Sequence, residues 1–356
     1  MAGPVRVGLI GYGMAGSLFH APIIAAVAGL QLAAVSTSRR DEVEARHPGV
    51  RVVGDPQAII DDPSIELVVI AAPTDQHFEL ARKALRQDKH LVVDKPLTPT
   101  WAEAETLAAM AAGSGRVLST FHNRRYDSDF LTVQRLLAEG RVGRPTLLEA
   151  RWDRYRPDIA DRWREQPTPG AGLWLDLGSH LVDQALRLFG VPDSLTANID
   201  AMREGARVDD DFLVTLAYPG LRVILRAASL VPIDTPRFVL MGEAGAFVKY
   251  GLDPQADALV RGDRPGGPGW GRDPRPGVLT VAGTGEEAII EGEPGDYRLY
   301  YAEVARAVRG EGPDPVPPAE ALAVMAMLEI GRESASRGVS LAVAGDPRMT
   351  ARLPKA

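Results

Sequence analysis

Apolar residues in the first third of the chain fall in short unbroken runs, and between the runs they recur at helical spacing. The runs are Val5–Ile10, Leu32–Ser36, Glu66–Ala71, His90–Val93 and Arg116–Thr120. Runs this short, bounded by glycine, proline or polar residues, are the pattern of strands buried on both faces. The intervening stretches predict helices over Ala15–Ala28, from the region of His77 to about Gln87, and after Thr100, where Thr100 and Glu103 have capping-box spacing. Alternating strands and helices predict a doubly wound parallel α/β sheet up to a boundary near residue 122.

Beyond that boundary the pattern changes. Phe130, Val133, Leu136 and Leu137 space a helix over Ser128–Glu139 that stops at Gly140. Thr146–Trp152 reads as a strand, and the segment from Leu173 to Gly190 as one helix. Phe212–Tyr218, Leu221–Ser229 and Arg237–Met241 predict a meandering sheet, and Tyr297–Arg309 and Ala319–Arg337 predict two more helices. The Gly/Pro-rich stretch from Gly251 to Gly277 reads as an ordered surface loop, with a lid or an oligomer contact as alternatives. Two domains are expected, 1–122 and 123–356.

Composition narrows the chemistry. The 356 residues are 45% hydrophobic with a formal charge of -7 and scattered arginines, so no footprint for nucleic acid or an anionic membrane is expected. There is no cysteine, which excludes disulfides, thiolate nucleophiles and thiolate metal sites, and no residue set is assigned to a metal. No targeting pattern and no run of transmembrane length is read, so a cytoplasmic location is expected.

The run Val5–Ile10 stops at Gly11-Tyr12-Gly13-Met14-Ala15-Gly16. Strand, G-x-G-x-x-G and helix in this order form a dinucleotide fingerprint: one glycine for the tight turn, one for backbone approach to the pyrophosphate, one for helix packing. Where an NAD enzyme places an acid for the ribose, this chain has Ser36-Thr37-Ser38-Arg39-Arg40. Hydroxyls and guanidiniums suit a 2′-phosphate, which favours NADP over NAD; the alternative is that Arg39 and Arg40 merely begin a solvated helix. Pro73 and Thr74 follow another strand, and His77 is either near the cofactor or structural. Asp94 and Lys95 stand where a buried strand meets Pro96, so Lys95 is expected at the rim of the ligand crevice. Asp176 and His180, four apart on the predicted helix, share a face, and the carboxylate can raise the basicity of the imidazole. From the arginine-rich loop and the segment before Ser128, Asn123, Arg124, Tyr155 and Trp163 are substrate-binding candidates.

The glycine fingerprint, Asp94-Lys95-Pro96 and Asp176-x-x-x-His180, in this order and spacing, resemble the Gfo/Idh/MocA oxidoreductases over essentially the whole chain. The resemblance implies an N-terminal Rossmann domain and a C-terminal α+β domain whose large, mainly antiparallel open sheet often forms the subunit interface, hence a homodimer or homotetramer. It also implies that Lys95, Asp176 and His180 surround the substrate carbon facing the nicotinamide. Two departures stand out: most members carry Glu-Lys-Pro, and asparagine is common where this chain has Pro73-Thr74. Phe121–Phe130, Asp161–Gln166 and Val248–Gln255 look like the NADP-dependent scyllo-inositol 2-dehydrogenases and their relatives.

The expected activity is reversible oxidation of a secondary alcohol on a cyclitol or sugar. His180, held by Asp176, is the first choice for general base and Lys95 for stabilising the oxygen, although these two roles can be exchanged. Two rivals are an enzyme of the same fold acting on another sugar or carbonyl, and a nucleotide-binding regulator without catalysis.

Overall fold

The computed structural model describes residues 3–349, so the outermost residues of both expected domains lie outside the described residues. The short apolar runs form six parallel strands: β1 (Val5–Ile10), β2 (Leu30–Ser36), β3 (Arg51–Val53), β4 (Leu67–Ile70), β5 (His90–Val93) and β6 (Leu118–Thr120). Their order is β3-β2-β1-β4-β5-β6, which reverses direction between β1 and β4. In such sheets ligands bind at the carboxyl edge of the reversal, where the glycine fingerprint and the Asp94-Lys95 strand end both emerge. Leu67 to Ile70 and Leu91 to Val93 are fully buried, each large side chain contributing about 1.5–3 kcal/mol of apolar burial.

One helix of this sheet departs from expectation. The one after the fingerprint opens with a π-helical turn, Ala15–His20, and ends at Ala25 rather than Ala28, because residues 26–27 turn back into an earlier start of β2. By contrast, Trp101–Ser114 begins with the complete Thr100/Glu103 capping box and ends on left-handed Gly115.

The chain divides into two compact units. The first comprises residues up to Asn123 together with Gln255–Trp270 and Asp296–Ala321. Within it Tyr300, on the helix Arg298–Val308, donates to Ser119 of β6 at 2.9 Å. The stretch from Gly251 to Gly277 is thus not one surface loop, since it contains the helix Gln255–Arg261.

The second unit holds a nine-stranded sheet: β7 (Pro145–Arg151), β8 (Ser194–Asp200), β9 (Asp211–Tyr218), β10 (Leu221–Ala228), β11 (Pro236–Gly242), β12 (Gly245–Tyr250), β13 (Gly277–Val281), β14 (Glu287–Ile290) and β15 (Leu341–Ala342). The order is β14-β13-β12-β11-β7-β10-β9-β8-β15, antiparallel except between β7 and β10. Side chains alternate as one-sided burial requires: Phe212, Val214 and Leu216 are buried, whereas Leu213 between them is 37% exposed. The helices Ser128–Ala138 and Ser179–Phe189 pack on β11 and β10. Arg237 of β11 ties both helices to the sheet, reaching Asp129 at 3.2 Å and Gln184 at 2.9 Å. Among the described residues no helix is long and apolar enough to cross a membrane.

Candidate active site

In the first unit the fingerprint glycines are set by their surroundings. Gly11 has φ +94, and a Cβ there would lie 2.5 Å from the Ala71 carbonyl oxygen of the neighbouring strand end. A Cβ on Gly16 would come within 2.1 Å of the Gly11 carbonyl oxygen, so the helix starts against the turn only because this side chain is missing. Gly13 differs: its Cβ would meet nothing within 4 Å. Its lack of a side chain is therefore not needed for folding, and the open space beside it fits a diphosphate approaching the backbone. Tyr12 beside it is buried, with its hydroxyl unbonded among the described residues and its ring edge-on to His47. Met14 is exposed, and Ala15 begins the π turn, a distortion often found at functional sites.

At the end of β2, Ser36 is buried and donates to the Gly54 carbonyl at 3.4 Å, while Thr37 Oγ1 accepts the Arg39 N–H at 3.1 Å. Ser38 follows at the turn. Arg39 caps and Arg40 begins the short helix Arg40–Arg46, where they meet Glu42 and Glu44 at 3.8 Å and 3.3 Å. Arg40 also donates to the Val52 carbonyl at 3.0 Å, which holds it beside the strand end.

The ends of β4 and β5 are stapled together by His77. Its ring is buried, with Nδ1 3.0 Å from the Pro96 carbonyl and Nε2 2.9 Å from the Ala72 carbonyl. Burial lowers its pKa, against the pull of the Asp94 charge, so the ring is neutral at pH 7 and donates to one of the two carbonyls at a time. Thr74 is buried after Pro73, in the turn that leads to His77. Asp94 accepts the Lys95 N–H at 2.8 Å, and the Lys95–Pro96 peptide is cis. Burial would raise the Asp94 carboxyl, but the polar contact and charge of His20, then Lys95 and His77, outweigh it and hold the group at about 2. Asp94 is therefore a carboxylate at neutral pH, and Lys95 starts from a fixed main-chain position. Asn123, also in this unit, is buried at the start of a 3₁₀ turn.

In the second unit Asp176 and His180 are not on one regular α-helix. Asp176 lies in a π-helical turn, Trp174–Gly178, and His180 in the first turn of Ser179–Phe189. One regular helix is expected from Leu173 to Gly190; the segment instead joins a π-helical turn to an α-helix. The turn is built around Trp174. A Cβ on Gly178 would fall 2.3 Å from the indole, and one on Gly331 2.7 Å, so both glycines make room for a ring that also donates to the Leu328 carbonyl at 2.9 Å. Asp209 starts the turn, accepting the Trp174 N–H at 2.6 Å. Burial raises the Asp209 pKa despite that bond.

Around this turn the side chains are basic and aromatic. His180 stacks on Trp152 with ring centroids 5.9 Å apart, and the Arg124 guanidinium lies 4.7 Å from the centroid of the same indole. Arg124 also contacts Asp127 at 3.4 Å. Arg164 approaches Asp176 at 3.7 Å and covers Trp163 at 5.0 Å, and Tyr155 is 60% exposed. Burial first, then the like charges of Arg156, Arg124 and Arg162, lower Arg154 to about 10 against the attraction of Asp176. Sequence reasoning missed Trp152 and Arg154 here, and His20 and Tyr301 in the first unit. Only the density of arginine in the loop hinted at Arg154; the other contacts are long-range and carry no local motif.

Residues 5–122 match the description "Oxidoreductase family, NAD-binding Rossmann fold", and residues 134–343 match "Oxidoreductase family, C-terminal alpha/beta domain". The chain is 48% identical to the uncharacterized oxidoreductase YdgJ of Escherichia coli, over 97% of this chain and 100% of the relative. It is 38% identical to the scyllo-inositol 2-dehydrogenase (NADP(+)) IolW of Bacillus subtilis, over 93% of each. A solved structure from Yersinia pestis superposes with a TM-score of 0.93 at 45% identity, covering 97% of this chain and 99% of that one.

Proposed function

The chain belongs to the Gfo/Idh/MocA oxidoreductases, with an NAD(P)-binding Rossmann domain, and on that premise we propose that it is an NADP-dependent dehydrogenase of cyclitols or sugars. Its substrate is a ring polyol of the scyllo-inositol type, one secondary alcohol of which is reversibly oxidised to the ketone. What carries this reading is the carboxyl edge of the first sheet, where a glycine turn with open space at Gly13 follows β1 and, across β4 from it, β5 ends in Asp94-Lys95, the Lys95 N–H bonded to the Asp94 carboxylate.

Gly11 to Gly16, with Tyr12, Met14 and Ala15, would hold the diphosphate. Pro73, Thr74 and Asp94 line the same strand ends. Ser36, Thr37, Ser38, Arg39 and Arg40 would take the 2′-phosphate, since hydroxyl donors and two guanidiniums favour an anion that a carboxylate would repel. When bound, the nicotinamide supplies the hydride-exchanging centre. The protein's own work is to orient the ring and move the hydroxyl proton. His180 takes that proton, with Asp176 raising its basicity, while the Lys95 ammonium stabilises charge developing on the oxygen. Asn123, Arg124, Tyr155 and Trp163 contact the remaining hydroxyls. The relative IolW, which acts on scyllo-inositol with NADP(+), supports both substrate class and cofactor. Apolar Met241 and Ile289, 41% and 64% exposed on the second sheet, support the reading of a homodimer or homotetramer built on that sheet.

The test is a panel of inositols and aldoses assayed by nicotinamide absorbance with each cofactor. Turnover of at least one cyclitol, with higher kcat/KM for NADP than for NAD, is the expected result. Equal or better efficiency with NAD sinks the cofactor assignment, and turnover confined to non-polyol carbonyls sinks the substrate class.

A further inference from the structure

Asp94 is joined to a buried line of side chains that the chemistry above does not use. His20, the last residue of the first π turn, is wholly buried. Its Nδ1 is 2.6 Å from the hydroxyl of Tyr301, and its Nε2 faces Asp94 Oδ1 at 3.9 Å, an ion-pair distance rather than a hydrogen bond. The same Oδ1 accepts the Lys95 N–H at 2.8 Å. Phe121 packs on the His20 ring at 4.3 Å and meets Tyr301 at 5.7 Å, so the imidazole has no freedom to turn. Tyr301 comes from the late segment Asp296–Ala321, which groups with the first unit.

We propose that His20 and Tyr301 are positioning residues for Lys95: Tyr301 fixes the His20 ring, His20 fixes the Asp94 carboxylate, and that carboxylate holds the Lys95 main chain. The proposal rests on the role given to Lys95 above. Its direction follows from the donors and acceptors. Tyr301 keeps its proton, because burial and then the Asp94 charge raise its pKa well above 10, and it therefore donates to Nδ1. The His20 ring, accepting at Nδ1, turns Nε2 toward the carboxylate. The carboxylate is thus hydrogen-bonded by the Lys95 amide and faced on the same oxygen by Nε2 at 3.9 Å. It also adds a negative charge beside the ammonium, which favours the charged form of Lys95. The ionisable groups facing Asp94 are His20, Lys95, His77 and Tyr301. A short acid fits here because both contacts converge on one oxygen close to the main chain.

The experiment uses full-length protein carrying Tyr301→Phe, which removes one oxygen, with His20→Gln as a second variant should the first be silent for local reasons. Three readouts are taken: kcat and its pH profile, the NADPH dissociation constant, and the titration of Lys95 by nuclear magnetic resonance of protein labelled in lysine. The chain has only five lysines, so assignment by Lys95→Met is direct. The expected result is a roughly tenfold fall in kcat from misplacement of a reacting group, with NADPH affinity unchanged within about twofold. Lys95 should lose its proton at lower pH in both variants and at lower pH still in Asp94→Asn. In the Lys95→Met background Tyr301→Phe should have no further effect. An unmoved Lys95 titration overturns the proposal, as does a full Tyr301→Phe effect in the Lys95→Met background. Should the wild type turn over no polyol, the substrate assignment falls while the Lys95 titration still decides this one.

Discussion

Gly13 and Gly16 are both glycines of the fingerprint, yet alanine at the two positions should have opposite consequences. At Gly16 the added methyl would sit 2.1 Å from the Gly11 carbonyl oxygen, well over 1 Å inside ordinary contact, and the obstacle is backbone that cannot rotate away. Overpacking of this kind costs roughly 3 kcal/mol, the upper part of the usual range. At Gly13 the methyl meets nothing within 4 Å, and the backbone is not in the left-handed region. There alanine should leave stability unchanged or raise it by about 0.5 kcal/mol, through the less flexible unfolded chain. The methyl would instead occupy space reserved for the cofactor, weakening NADPH binding by about tenfold to a hundredfold. Urea unfolding of the cofactor-free proteins and fluorescence titration with NADPH separate the two effects. Loss of stability in Gly13→Ala, or unchanged NADPH affinity, would refute the argument that this position is kept open for a ligand.

Three further outcomes follow from the same geometry. Trp174→Ala should cost about 3–5 kcal/mol in denaturant unfolding, because the indole fills the space between Gly178 and Gly331 and its N–H bond to Leu328 is lost. Asp94 titrates at about 2 in the folded protein against 3.8 ordinarily, so its stabilisation, about 2 kcal/mol, is full above pH 3.8 and is lost as pH falls toward 2. The stability gap between wild type and Asp94→Asn, measured across that window, should close with acid; a gap independent of pH would be inconsistent with an ionised Asp94. Replacing Arg39 and Arg40 together by alanine should lower the NADP-over-NAD preference in kcat/KM by about tenfold or more, the value of one or two charge-assisted bonds to a phosphate. An unchanged preference would leave both arginines as ordinary helix-start residues paired with Glu42 and Glu44.

What could be read from the chain alone divides along the range of the interactions. The first sheet was legible because β1, β4 and β5 are buried on both faces and so appear as unbroken apolar runs, and the Thr100/Glu103 cap was legible because its partners are three residues apart. The edge strand β3, with exposed Arg51, lacks such a run, and β14 is short and largely exposed. Neither π turn could be read from spacing: Trp174–Gly178 is widened by an indole lodged against Gly331, which is far away in sequence. The candidate residues stand in compact motifs and were named from them. Their supports, Trp152 under His180 and Tyr301 behind His20, come from distant segments and were invisible.

In the proposed reaction Lys95 and His180 handle the proton and charge of a polyol hydroxyl. Lys95→Met and His180→Ala should each lower kcat on the best cyclitol by about a hundredfold or more, with NADPH binding within about twofold of wild type. Near-full turnover in either variant, with NADPH still bound, would contradict the role assigned to that residue.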